Sequence, residues 1–105
     1  MNDLDKDIIK LRKDKDVLMS LDRLMVNPDF KKVIMKDFLV DHPLALIEGK
    51  GVLKLDPQTN QDIDRQLDCV ALFRMYLNSQ VSRIADIDLH ISSAETLRDE
   101  QTRNT

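Results

Sequence analysis

The sequence predicts an all-α fold, either an antiparallel helical hairpin or a small elongated bundle with one long C-terminal helix. Apolar side chains recur every three or four residues through most of the chain, which is the spacing of amphipathic helices. Only 4% of the 105 residues are aromatic and 33% are charged, a balance typical of bundles and coiled coils. Both glycines, Gly49 and Gly51, fall together between two arms of similar length. We therefore expect residues 1–105 to form a single elongated helical domain.

The first predicted helix covers residues 3–26. Its apolar face comprises Leu4, Ile8, Leu11, Leu18, Leu21 and Met25. Five consecutive charges of alternating sign, residues 12–16, interrupt this face, and we expect them to pair with neighbours three or four residues away on a solvated surface. A docking site for a charged partner is the alternative interpretation of the same run.

The second predicted helix covers residues 28–48, with a kink near residues 41–43. Asn27 is a preferred N-cap residue, and Pro28 suits the first helical position, where the missing N–H is not needed. The stretch at 41–43, Asp-His-Pro, repeats this order of residue types inside the arm. A proline there removes a backbone donor, which predicts the kink.

A loop is predicted over residues 49–59, because it holds both glycines and a proline. Within it, residues 52–55 are expected to be extended, with a short helical turn as the alternative. The long C-terminal helix then covers residues 60–101, capped by Thr59 or Asn60, and the polar tail 102–105 is expected to fray.

Folding the chain about this loop makes an antiparallel hairpin in which paired positions sum to roughly 108. In that register Phe38 faces Val70, Phe30 faces Leu77 and Leu18 faces Ile91. The core is expected to be anchored by Phe30, Phe38, Phe73 and Leu77. Cys69 lies beside Val70 and one turn before Phe73, so we expect it to be a small buried core residue and not a nucleophile.

The helices carry more apolar residues than one seam can bury. The positions outside the main stripe are Ile9, Val17, Leu24, Met35, Val40, Leu72, Met75, Tyr76 and Leu89. We therefore predict that the working protein is not a monomer. If the first arm folds back as a three-helix bundle, the end of the long helix projects, and its partner-binding residues are then Val81, Ile84, Ile87 and Ile91.

Several classes of function are not indicated by the sequence. The net charge is −3 and no part of the chain has an excess of basic residues, which argues against nucleic-acid binding. No apolar run is long enough for a transmembrane helix or a signal peptide, so no membrane is expected and the protein should be soluble. Asp86 and His90 lie one turn apart, as two metal ligands would, but further ligands are missing. No enzyme activity, metal or cofactor is predicted.

One segment resembles a known group of proteins. Residues 21–34 contain Asn27-Pro28-Asp29-Phe30-Lys31-Lys32 followed by Val33-Ile34, and a long C-terminal helix with residues 62–67 and 73–77 comes after it. This combination resembles small helical proteins encoded among the head and tail structural genes of tailed bacteriophages. The present chain departs from that pattern at His42-Pro43 and at Gly49-Lys50-Gly51, and its C-terminal end is less acidic.

The resemblance implies a biological setting in the virion, or in the host cytoplasm during infection. Under its first interpretation the chain is a structural or assembly protein whose partners are copies of itself or capsid, portal or tail proteins. Under the alternative it is a small regulatory binder or chaperone acting on a host or phage protein.

Overall fold

The structure, a computed structural model, describes residues 2–52 and 54–104. Helix α1 covers Asp3–Met25, a one-turn helix α2 covers Pro28–Phe30, and a π-helix covers Lys31–Asp41. Helix α3 covers His42–Val52 and helix α4 covers Pro57–Arg103. The described residues contain no strand, so the predicted all-α fold with one long C-terminal helix is confirmed.

The chain divides into two compact units. Unit 1 consists of residues 1–23 and 79–105, and unit 2 consists of residues 24–78. Most of α1 and the second half of α4 therefore belong to unit 1, while α2, the π-helix, α3 and the first half of α4 belong to unit 2.

The core of unit 1 lies between α1 and α4. Leu18, Ile87 and Ile91 form a buried cluster, and Leu11, Met19 and Ile84 pack against it. Leu18 and Ile91, which the hairpin register placed opposite each other, thus share one core. Burial of an aliphatic side chain contributes about 1.5 to 3 kcal/mol, so this cluster is a main stabilising contact of the unit.

Three ion pairs join α1 to α4 in unit 1. Arg12 pairs with Glu95, the Lys15 ammonium lies 2.5 Å from the Asp88 carboxylate, and Arg83 lies 3.1 Å from Asp14. Because the α4 partner moves backward as the α1 residue moves forward, the two helices are antiparallel. The charge run at 12–16 therefore pairs across helices, and the expectation that its members pair with near neighbours is wrong for these three. Each exposed pair contributes at most about 1 kcal/mol, so their main effect is on register.

The core of unit 2 is built around Leu39, Val70 and Leu77, which are buried. The Phe38 and Phe73 rings meet edge to face with centroids 5.7 Å apart, a geometry that aromatic pairs favour. Leu77 is thus a core residue as predicted. The three predicted aromatic anchors, Phe30, Phe38 and Phe73, are only half-buried, because few layers of helix surround them.

The start of the second arm follows the predicted capping chemistry. The Asn27 side-chain oxygen accepts hydrogen bonds from the backbone N–H groups of Asp29 at 2.9 Å and Phe30 at 3.1 Å. Pro28 occupies the first helical position. These bonds satisfy donors that the first turn of a helix leaves without partners.

No loop separates the π-helix from α3 at the proline that predicts a kink. The backbone N–H of His42 donates to the Asp37 carbonyl, five residues earlier, and α-helix continues from His42 onward. Pro43 has no N–H, so it cannot donate the α-helical hydrogen bond to the Leu39 carbonyl. The Arg74 guanidinium from α4 donates to that carbonyl instead.

The predicted loop is wrong over most of its length. Residues 49–51, which include both glycines, are helical within α3, and α4 begins at Pro57. Only residues 54–56 are described without regular structure, while Leu53, inside the segment expected to be extended, lies outside the described residues. Glycine weakens a helix by less than about 1 kcal/mol, a cost that a continuous arm can absorb.

Asp56 caps α4 in place of the predicted Thr59 or Asn60. Its carboxylate accepts the Thr59 backbone N–H at 2.8 Å and the Thr59 hydroxyl at 3.0 Å. These two bonds favour the ionised carboxylate and hold the pKa of Asp56 below its ordinary value. Pro57 follows as the first helical residue. At the other end α4 reaches Arg103, so the tail predicted to fray is helical over residues 102–103.

Candidate protein-interaction surface

The candidate functional site is an apolar surface, since exposed apolar side chains are the feature of this chain that core packing does not explain. Among the described residues, large hydrophobic side chains that are exposed outnumber buried hydrophobic ones by 14 to 7. The exposed residues in unit 1 are Ile9, Val17, Val81, Leu89 and Leu97. Those in unit 2 are Leu24, Val26, Val33, Val40, Leu44, Ile47, Leu72, Met75 and Tyr76.

The predicted second apolar face is exposed at eight of its nine positions. Met35 is the exception and is half-buried. Sequence periodicity found these residues because they lie outside the stripe that one partner helix can cover. It did not single out Val26, Val33, Leu44 and Ile47, because they belong to a π-helix or to helix ends where the 3.6-residue period gives no reliable face.

The four residues predicted as partner anchors on the projecting helix divide between core and surface. Ile87 and Ile91 are buried against Leu18, and Ile84 packs on the same cluster. Val81 is exposed. The underlying alternative, a first arm that folds back and leaves the end of α4 bare, is wrong because α1 packs along this part of α4. Ile84, Ile87 and Ile91 are therefore reassigned to the core of unit 1.

A groove of 580 Å³ runs between α1 and α4 in unit 1. Its apolar lining includes Leu4, Leu11, Ala94 and Leu97. Charged and polar groups also line it, among them Lys10, Asp14, Arg83, His90 and Ser93. Such a lining of apolar floor and mixed charge suits the apolar face of an amphipathic helix.

A second groove, of 320 Å³, lies in unit 2 beside the proline of the second arm. Leu39, Val40, Leu44 and Ile47 provide apolar walls, and Arg74 closes one side. The Arg74 guanidinium is already engaged with the Leu39 carbonyl, so it positions helix α3 against α4. Sequence reasoning missed this role, although a proline that leaves one carbonyl without a donor predicts that a side chain from the paired arm supplies it.

Cys69 is exposed, so the prediction that it is a buried core residue is wrong. It follows Asp68 on the outer side of α4, one position before the buried Val70. In an α-helix one residue corresponds to a rotation of about 100°, which is enough to move a side chain from the core to solvent.

The polar residues form no metal constellation within the described part of the chain. No group of three or more His, Cys, Asp or Glu side chains is arranged there to hold a metal ion, and the Asp86–His90 pair therefore stays without further ligands. All buried side-chain polar atoms among the described residues have hydrogen-bond partners. None of the helices over residues 2–52 and 54–104 combines the length and the apolar composition needed to cross a membrane.

Comparison with known proteins adds no relative. No protein-family model, curated protein or solved structure matches this chain. The resemblance to small bacteriophage proteins over residues 21–34 thus stays a prediction from the sequence.

Proposed function

We propose that this chain is a non-enzymatic structural or assembly protein of a bacteriophage particle, and that it acts through helix-mediated contacts. Its partners are copies of itself or other particle proteins such as capsid, portal or tail components. The observation that carries the proposal is the excess of exposed large apolar side chains over buried ones. A soluble monomer rarely leaves contiguous apolar surface uncovered, and assembly proteins cover it with a partner.

The distribution of these side chains also favours an assembly role. They occur on α1, the π-helix, α3 and α4, so more than one helix face is available for contacts. A protein that binds a single partner needs one such face, while a subunit in an assembly contacts several neighbours. Exposed apolar residues near ion pairs such as Lys15–Asp88 make surfaces with both a hydrophobic centre and a polar rim.

The phage setting is supported by the sequence resemblance around Asn27-Pro28-Asp29-Phe30. In the structure this stretch is a capped helix start, where Asn27 holds the first turn. The same setting places the protein in the virion, or in the host cytoplasm during infection.

Quantitative mass spectrometry of purified particles and of assembly intermediates tests this function. Many copies of the chain per virion, or per intermediate, are expected. Absence from both fractions, together with a soluble complex of the chain with one host protein, would contradict the proposal and would favour the regulatory-binder alternative.

A further inference from the structure

The outer face of α4 carries three apolar residues in one patch. Leu72, Met75 and Tyr76 are spaced by three and one, so they lie within one turn on the same side of the helix. Their exposed fractions are 65%, 66% and 56%, while Val70 and Leu77 on the opposite side are buried. The patch therefore faces away from the core that α4 helps to form.

Charged residues flank this patch on the same side of the helix, one turn or more away in each direction. Arg65 and Asp68 precede it, and Arg83 and Asp86 follow it. In a continuous α-helix, positions 65, 68, 72, 75, 79, 83 and 86 lie along one stripe, because their spacings alternate around three and four.

These charges are weakly engaged within the chain. Asp68 and Asp86 form no ion pair with any residue that the structure describes. Arg65 reaches only Asp62, at 3.6 Å in the preceding turn, and its side chain is 72% exposed. Arg83 is the exception, since it lies 3.1 Å from Asp14.

The order of these charges is complementary to itself when the helix is reversed. If a second α4 runs antiparallel with Met75 opposite its Tyr76, then Leu72 comes opposite its Ser79. In the same register, Arg65 comes opposite its Asp86, and Asp68 opposite its Arg83. Every pair occurs twice, as a two-fold axis requires. A shift of seven residues in either direction abolishes all four oppositely charged pairs, and a parallel arrangement places like charges together.

We propose that this face of α4 is a self-association surface, on which a second copy of the chain packs antiparallel about a two-fold axis beside Met75 and Tyr76. The apolar patch forms the centre of the contact and the Arg–Asp pairs set its register. This inference rests on the proposed function in one respect, namely that the exposed apolar surface serves assembly.

Charge exchange at Arg65 and Asp86 tests the register. Sedimentation equilibrium of the full chain should show a species of about twice 12.2 kDa at micromolar concentration. Arg65→Asp or Asp86→Arg alone should weaken dimerisation roughly tenfold, because each substitution places two like-charge pairs in the contact. The double variant Arg65→Asp/Asp86→Arg should restore it. Asp22→Arg on α1 is the matched control and should leave dimerisation unchanged.

A monomer at all concentrations, or a dimer equally strong in every variant, would overturn the self-association surface. Failure of the double variant to recover would overturn the register. Neither outcome bears on the particle mass spectrometry, so this inference and the proposed function fail separately.

Cysteine cross-linking provides a second measurement that does not depend on charge. In a Cys69→Ser background, a mixture of Leu72→Cys and Ser79→Cys chains should form a disulfide between chains on oxidation. Each variant alone should cross-link much less, because its two copies lie about 10 Å apart along the helix axis in the antiparallel register. Equal cross-linking by Leu72→Cys alone would contradict the proposed arrangement.

Discussion

Asp56 shows how a single side chain decides where a helix begins. The sequence around it, Asp56-Pro57, has the same order of cap and proline as Asn27-Pro28, and both asparagine and aspartate oxygens accept N–H groups from the first turn. Sequence analysis recognised the second of these starts and placed the first three residues too late. The error came from the weight given to two nearby glycines, whose effect on the helix is smaller than that of a capped start.

The Asp56 cap predicts a pH dependence of stability. Since hydrogen bonds to Thr59 lower the pKa of Asp56 in the folded chain, its contribution is fully present above the unfolded pKa of about 3.9 and is lost as the pH falls through the lower folded pKa. Asp56→Asn keeps an N-cap oxygen without a titrating group. The melting temperature of the wild type relative to Asp56→Asn should therefore fall between about pH 5 and pH 2. Parallel pH profiles for the two proteins would show that the carboxylate does not cap α4.

At the scale of elements, α3 is the helix that the sequence did not predict in full. Its two glycines have no positive φ, and a Cβ built on either one meets no atom within 4 Å. They are therefore not needed for a turn or for a close approach. Both are tolerated in a helix that the groove residues Leu44 and Ile47 leave partly exposed.

Gly49→Ala tests whether this segment is helical. Alanine should raise the free energy of unfolding by about 0.5 to 1 kcal/mol, because it reduces the entropy of the unfolded chain and fits the helical conformation without contacts. Urea denaturation measures the change. A loss of stability would instead indicate the loop that the sequence predicted. Ala45→Gly, in the same helix, is the converse control and should destabilise by a similar amount.

The Arg74 hydrogen bond to Leu39 is a second property of elements, because it links α4 to the helix that Pro43 interrupts. Arg74→Met should lower the free energy of unfolding by on the order of 1 to 2 kcal/mol, since the Leu39 carbonyl then lacks a partner. In a Pro43→Ala background the new N–H can donate to that carbonyl, and the effect of Arg74→Met should shrink. A double-mutant cycle in urea measures the coupling.

The exposed Arg103 provides a control for loss of charge alone. Arg103→Met should change stability by less than about 0.5 kcal/mol in both backgrounds. Equal effects of Arg74→Met with and without Pro43 would separate the hydrogen bond from the proline and contradict this account.

For the whole molecule, the antiparallel packing of unit 1 is the feature that a covalent link can test. In a Cys69→Ser background, Arg12→Cys and Glu95→Cys should form a disulfide within one chain at micromolar concentration, because these residues pair across α1 and α4. Non-reducing electrophoresis should show a faster monomer. Lys13→Cys with Glu95→Cys is the matched control and should form it less, since Lys13 lies about 100° further around α1. Disulfides formed only between chains would mean that α1 packs on another copy.

The all-α fold, the long C-terminal helix, the Asn27 cap and the exposed second apolar face all followed from the sequence. Each depends on residues close together in the chain, through helical periodicity or the hydrogen bonds of one turn. The tertiary structure alone decided which charges pair, where Cys69 points, and that Ile87 and Ile91 are covered. Those outcomes depend on which helix lies opposite, and a helix stripe defines its own apolar face without naming the helix that covers it. Pro43 and Arg74 illustrate the same limit, because the proline frees a carbonyl locally while only packing brings the guanidinium to it.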